Sequence, residues 1–194
     1  MKNYKKTWFQ SKVVVAEDST TTKKTSTQSN NKRLFVPEPP VIKERARVLV
    51  FGTYDIIHPA HIRFLVEARQ TANCYDCVLV VVLARDSSIE RIKGHKPIFT
   101  EEQRLKLVSC LRVVDYAQLG KEGENYFDII LDIKPDYIIL GYDQLPNDKP
   151  LLAFIKEHQL KITVYRLPHF ESGDLSSSSE VRKKVLEIYN TEKK

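Results

Sequence analysis

Cysteine is scarce in this chain. Only Cys74, Cys77 and Cys110 occur among 194 residues. An odd number builds no disulfide framework, so a reducing, cytoplasmic setting is expected. Cys74 and Cys77 have C-x-x-C spacing, but no second pair follows to complete a zinc site. They read as a helix-to-strand connection, and no metal ligand is assigned. Long hydrophobic runs are also missing, which excludes a membrane-spanning helix and any membrane partner that would need one. No serine or cysteine stands beside a base in a way that would build a covalent intermediate. Nor does the folded part have a basic excess. The formal charge is +6, but residues 1–47 hold eleven Lys/Arg against four Asp/Glu, a net of +7. Residues 48–194 hold twenty against twenty-one, a net of −1. The core therefore carries no electrostatic footprint for nucleic acid.

Two segments follow from this imbalance. Residues 1–45 read as a flexible basic extension. Ser19 to Arg33 is almost wholly Ser, Thr, Lys, Asn and Gln, too polar to bury anything. Val13-Val14-Val15 is a short apolar run that could add an edge strand or dock on a partner, and Val36 to Pro40 is a stiff extended lead-in. Residues 46–194 are the folded domain, where strands and helices alternate. Val48–Phe51, Cys77–Ala84, Val113–Leu119, Tyr137–Leu140 and Ile162–Leu167 read as strands. Helices are expected after Pro59, from Thr100, over Tyr126–Ile133 and Leu151–His158, and over Glu180–Tyr189. Repeated βαβ order predicts an α/β fold, with a parallel five-stranded Rossmann-like sheet and helices on both faces. In such sheets ligands bind beyond the carboxyl ends of the strands.

The chemistry concentrates at that edge. The first strand runs into Gly52-Thr53-Tyr54-Asp55, and His58-Pro59-Ala60-His61 follows. Gly52 is expected to let the chain turn sharply and a ligand approach closely. Pro59 suits the first helical position. His58 and His61 fall one turn apart near the positive end of the helix, where imidazoles and N–H groups converge on a phosphate. Ile62, Leu65 and Val66 are the expected apolar face of that helix. After the second strand come Arg85-Asp86 and Lys93-Gly94-His95-Lys96-Pro97. Lys96 is the first choice for a phosphate clamp and Lys93 the second. Gly141-Tyr142-Asp143-Gln144 ends the fourth strand, and Asp143 and Gln144 are candidates to bond a ribose or base. Ser176 to Ser179 opens the last helix, with Arg182 one turn in, the composition of a second phosphate site.

These segments carry a family resemblance. Gly52-Thr53-Tyr54-Asp55-x-x-His58-x-x-His61 resembles the G-T-F-D-x-x-H-x-G-H signature of the nucleotidyltransferase (cytidylyltransferase-like) superfamily. Ala60 replaces the glycine that makes room for the nucleotide. Ser177, Ser178 and Ser179 with Val181 and Arg182 are similar to the second signature, I-S-S-T-x-I-R, with Ser176 at the leading isoleucine. Lys93–Pro97 is similar to a lysine-bearing segment of the family. The G-x-D-Q turn resembles that of the archaeal FAD synthases. The likeness spans about residues 46–190. It implies that Gly52, Thr53, Tyr54, Asp55, His58, His61, Asp143, Gln144, Ser177, Ser178 and Ser179 hold the nucleotide. His58, His61, Lys96 and Arg182 would act on its phosphates.

The implied reaction transfers AMP from ATP to FMN, giving FAD and pyrophosphate, with Mg²⁺ held mainly by the triphosphate. A phosphate monoester acceptor is already largely dianionic near neutral pH, its second pKa being about 6, and needs no general base. Cytidylyl transfer to a polyol phosphate such as glycerol 3-phosphate is the second reading. Its usual R-T-x-G-I-S-T-T element fits Arg166 to Leu175 poorly. A non-enzymatic nucleotide-binding protein is the third. ATP and FMN are thus the expected small-molecule partners. The assembly stays open, with a homodimer one candidate. A flavin needs a flat apolar slot, and Tyr142, Tyr165 and Phe170 are the aromatic candidates.

Overall fold

The computed structural model describes residues 45–71, 76–123, 125–169 and 175–192. All fall in the unit Val36–Lys194. The expected extension up to residue 44, with Val13–Val15, lies outside the described residues, as do Cys74 and Phe170.

Five strands form one parallel sheet: β1 Arg47–Gly52, β2 Val78–Leu83, β3 Tyr116–Leu119, β4 Tyr137–Leu140 and β5 Thr163–Arg166. Their spatial order is β3-β2-β1-β4-β5. Val50 pairs with Val81 on one side and Ile139 on the other, so β1 is central. β2, VLVVVL, is buried along its whole length, as a strand covered on both faces must be.

Pleating sends alternate residues to opposite faces. Val48, Val50, Leu79, Val81 and Leu83 pack with Leu65 and Ala68 of α1 (Pro59–Thr71) and Leu105 and Val108 of α3 (Glu101–Ser109). Leu49, Val80, Val82 and Ile138 pack on the other side. There they meet Ile130 and Ile133 of α4 (Ile129–Ile133) and Leu151 and Phe154 of α5 (Lys149–Glu157). Helices therefore cover both faces.

Several elements differ from expectation. α2 (Asp86–Lys93) occupies a stretch read as loop. It buries only Ile89 and ends at Gly94, whose φ is 71°, leaving little periodicity to notice. The α1 face is rotated. Leu65 and Ala68 are buried, whereas Ile62 and Val66 remain 36% and 37% exposed. Alanine carries too weak an apolar signal to mark the buried stripe. β3 starts three residues later than predicted, because Leu111 to Val114 forms a turn, Val114 N donating to the Leu111 carbonyl over 2.9 Å. The stretch from Tyr126 opens as a 3-10 turn, Tyr126–Asp128. α4 stops at Lys134, in the left-handed region at φ 50°, just before Pro135. α6 spans Ser178–Glu192.

Candidate active site

The carboxyl ends of β1, β2 and β4 open onto a cavity of about 860 Å³. Its central wall comes from the β1–α1 connection. Tyr54 takes up the sharp turn there, at φ 51°, a conformation uncommon for a non-glycine residue. Gly52 serves differently from expectation. It is an extended strand residue, and a Cβ placed on it would stand 2.3 Å from the Tyr54 ring. The glycine makes room for a buried tyrosine, more than for a ligand. Gly52→Ala is expected to lose about 1–3 kcal/mol in denaturant unfolding, the usual cost of overpacking a filled site. Much of that loss should be recovered in a Gly52→Ala/Tyr54→Leu double variant, and no recovery would count against the ring as the obstacle.

His58 and His61 meet above this turn. Their rings stack with centroids 3.7 Å apart, and His61 lies 5.0 Å from the Tyr54 ring. Both Nδ1 atoms are buried without a partner, as are Tyr54 Oη and Arg182 Nε. Buried polar atoms are normally satisfied; these four are exceptions, carried by residues that line one cavity but themselves sealed from it.

Burial lowers the pKa of both histidines, and Glu180 partly opposes this at His58. At His61 burial, the adjacent His58 and Lys93 together outweigh a contact with the Ile56 carbonyl and pull the value down to about 3. Both imidazoles are therefore neutral at pH 7. A stability consequence follows from linkage. Below its unfolded pKa of about 6.5 the unfolded histidine takes up a proton that the folded one refuses. Stability from this site is complete above pH 6.5 and falls as the pH drops toward 3. Between pH 7.5 and 5.0 the wild type should lose up to about 2 kcal/mol that His61→Gln does not. Denaturant midpoints of both proteins at the two pH values test this, and parallel losses would refute it.

The second element expected to meet a phosphate is the start of α6. Ser177, Ser178 and Ser179 line the cavity with Arg182. Ser177 Oγ accepts from Glu180 N at 3.2 Å, and the Glu180 carboxylate takes both Ser176 N, at 2.6 Å, and Ser177 N, at 3.0 Å. These bonds hold Glu180 below the usual carboxylate range. Ser178 Oγ reaches the Ile56 carbonyl at 3.4 Å, which brings α6 beside α1.

Asp55, expected among the nucleotide contacts, lines the cavity with its carboxylate already engaged. Oδ1 accepts from Ile98 N at 2.7 Å and Phe99 N at 2.9 Å, and Oδ2 pairs with Arg182 Nη2. It ties the β1 turn, the loop after α2 and α6 together. Gln144, expected to read a ribose or base, is likewise occupied. Its Oε1 accepts from Gly141 N at 2.9 Å, and its Nε2 donates to the Phe51 carbonyl at 2.7 Å. Asp143 is exposed and lines the cavity with Thr53 and Tyr142. Lys96 is exposed and is not among the lining residues, whereas Lys93 at the end of α2 is. Ala60 stands in the wall with its methyl group. Tyr165 is also absent from the lining. It stacks on Tyr137 at 6.3 Å.

Sequence reasoning missed four residues. Arg104 is fully buried. It donates to the carbonyls of Thr53 at 2.6 Å, Ala84 at 2.7 Å and Phe99 at 3.2 Å, and to Asp86 at 2.7 Å. Arg166 binds the turn after β4. Ile92 and Tyr126, 75% and 41% exposed, give the β2–β3 flank of the cavity an apolar surface. Arg104 sits within an ordinary helical pattern, and its carbonyl partners leave no trace in a sequence. Among the described residues no group of three or more His, Cys, Asp or Glu can hold a metal ion. None of the described helices is long and apolar enough to cross a membrane.

The sequence and the fold both have known relatives. Residues 49–184 match the Cytidylyltransferase-like family model. A FAD synthase of Thermoplasma volcanium is 42% identical over 142 residues, 73% of this chain and 95% of that protein. One of Methanohalophilus mahii is 41% identical over 146 residues, 75% of this chain and 98% of its relative. Among solved structures, a Thermoplasma volcanium protein described as a lipopolysaccharide core biosynthesis protein is similar at a TM-score of 0.58 and 39% identity. That match covers 64% of this chain and 98% of the other. Pantoate-beta-alanine ligase from Francisella tularensis, solved with beta-gamma ATP and beta-alanine, shares the fold alone, at a TM-score of 0.50 and 15% identity over 78% of this chain and 71% of its own. With stacked histidines on α1, a serine-rich start to α6 and relatives matched over nearly their whole length, this chain belongs to the cytidylyltransferase-like family, alongside the archaeal FAD synthases.

Proposed function

We propose that this protein is an FMN adenylyltransferase, forming FAD and pyrophosphate from ATP and FMN. One observation carries the reading beyond the relatives' name. Two helix N-termini, with His58 and His61 on one and Ser177 to Arg182 on the other, line a single cavity that also exposes apolar rings on both flanks. Tyr126 lies on the β2–β3 side and Tyr142, 54% exposed, on the β4–β5 side. A reaction that joins two ring-bearing phosphates requires such a pair of surfaces.

A phosphate oxygen of FMN attacks the α-phosphorus of ATP, and the bond to the pyrophosphate oxygen breaks. The acceptor needs no deprotonation. The protein's task is alignment of two anions and stabilisation of charge on the transferring group. Neutral His58 and His61 donate N–H bonds to phosphate oxygens without first giving up a counter-charge. Arg182, held in place by Asp55, and Lys93 supply positive charge, with Lys93 taking the part expected of Lys96. The α6 serine hydroxyls and amides complete the cradle. Asp143 and Tyr142 face the nucleoside.

The donor set suits a divalent cation that arrives with the triphosphate. Asp55 is consumed by Arg182 and two amides, so the ion would be held by the triphosphate rather than by the cavity wall. Mg²⁺ would neutralise triphosphate charge and help orient it, keeping most of its waters.

The test is direct. Protein is incubated with Mg²⁺ and either ATP with FMN or CTP with glycerol 3-phosphate, and products are identified by mass. FAD and pyrophosphate are expected from the first mixture. A CDP-polyol from the second, with no FAD from the first, overturns the reading.

A further inference from the structure

Gly141 to Pro146 forms one wall of the cavity at the end of β4. Locally it is closed between Gly141 and Gln144, with Gln144 N donating to the Gly141 carbonyl at 3.3 Å. Leu145 sits at φ 46°, a left-handed conformation that costs a leucine energy and persists only where surroundings impose it. Arg166, at the end of neighbouring β5, imposes it. Nη1 donates to the Gly141 carbonyl at 2.9 Å and the Gln144 carbonyl at 2.5 Å. Nη2 donates to the Leu145 carbonyl at 2.9 Å and lies 3.9 Å from the Asp148 carboxylate. One planar guanidinium thus gathers three carbonyls that would otherwise repel one another. Gln144 fastens the same turn from the other side through Gly141 N and the Phe51 carbonyl. What remains for a ligand is the Tyr142 ring, edge-on to His169 at 4.4 Å, and the Asp143 carboxylate. Arg166 itself is not among the residues lining the cavity.

We propose that Arg166 is a positioning residue that holds the Gly141–Pro146 turn as the nucleoside-recognising wall of the site. The proposal rests on the reading that the cavity takes ATP. It separates binding into two parts. The phosphates are held by α1 and α6, far from Arg166 in the sequence, and the nucleoside is held by a turn that exists in its present shape because of Arg166. A lysine ammonium has three N–H donors but lacks the planar fork whose two nitrogens reach these carbonyls separately, so lysine should replace arginine only in part.

Arg166→Met and Arg166→Lys test this with two ligands, ATP and inorganic tripolyphosphate, titrated calorimetrically into the folded proteins. In Arg166→Met, ATP affinity and KM for ATP should worsen about tenfold, while tripolyphosphate affinity stays within about twofold and kcat at saturation within about threefold. Arg166→Lys should fall between Arg166→Met and the wild type. Hydrogen exchange of the 141–146 segment should be at least about tenfold faster in Arg166→Met, with the sheet unaffected. Equal weakening of both ligands, unchanged ATP affinity or unchanged exchange would overturn the proposal. So would a wild type that binds ATP no better than tripolyphosphate, since the turn would then recognise nothing. FAD formation by the wild type judges the adenylyl-transfer reading separately, because it does not depend on how ATP compares with tripolyphosphate.

Discussion

His61→Ala is expected to lower kcat by roughly 10²–10³-fold, the usual result of removing one preorganised donor from a charge-stabilising site. The fold should survive. The ring's Nδ1 has no hydrogen-bond partner, so its removal breaks no hydrogen bond at that atom. Tyr54 and His58 remain to fill the space. KM for ATP should change far less than kcat, since the donor matters most where charge gathers on the transferring phosphate. Single-turnover rates and a thermal melt decide the matter. A folded variant with near-normal single turnover would remove His61 from the mechanism. His58→Ala makes a useful companion. The two imidazoles stack, so their losses should be less than additive if both serve the same phosphate.

The second large effect concerns Arg104. Arg104→Met keeps the volume and removes the charge. It leaves the carbonyls of Thr53, Ala84 and Phe99 and the Asp86 carboxylate without their donor. Breaking a buried charge network from one side typically costs about 3–5 kcal/mol. A large fraction of a small domain's stability would go, and urea unfolding should register it. The damage should also be directional. The residues Arg104 ties together are the ends of β1 and β2, the start of α2 and the loop before α3. ATP affinity should therefore weaken in whatever protein remains folded. A change below about 1 kcal/mol would show that water substitutes for the guanidinium, and that the bracket is not needed.

The contrast between His61 and Arg104 shows what a sequence makes legible. The histidine site is local. Strand, glycine, proline and two imidazoles follow within eleven residues, although the turn expected at Gly52 is taken up by Tyr54. The start of α6 is local too, since serine and glutamate cap helices by contacts three or four residues long. Arg104 and Arg166 act across 51 and 25 residues on carbonyl oxygens, and every residue has a carbonyl. An arginine among Gln103, Leu105 and Lys106 looks like a solvated helix position, yet it is fully buried. Asp55 and Gln144 show the opposite difficulty. Their motifs put them at the edge where the cavity lies, and both line it, but only the folded contacts reveal that their polar atoms face inward to the protein. Short α2 escaped because Ile89 is its one buried residue, and a single apolar position defines no period. The exchange of Lys96 for Lys93 follows from the same omission: once α2 runs to Lys93, the later lysine lies beyond it.

None of the described side chains of α6 is buried. Two polar contacts tie its first turns to the body of the domain: Arg182 on Asp55 and Ser178 on the Ile56 carbonyl. A helix attached in this way contributes little hydrophobic adhesion of its own. A triphosphate lying between α6 and α1 would bind both sides of that seam. In this protein the substrate would act as mortar as well as reactant, and the hold on the last helix would tighten with each nucleotide bound and slacken with each product released.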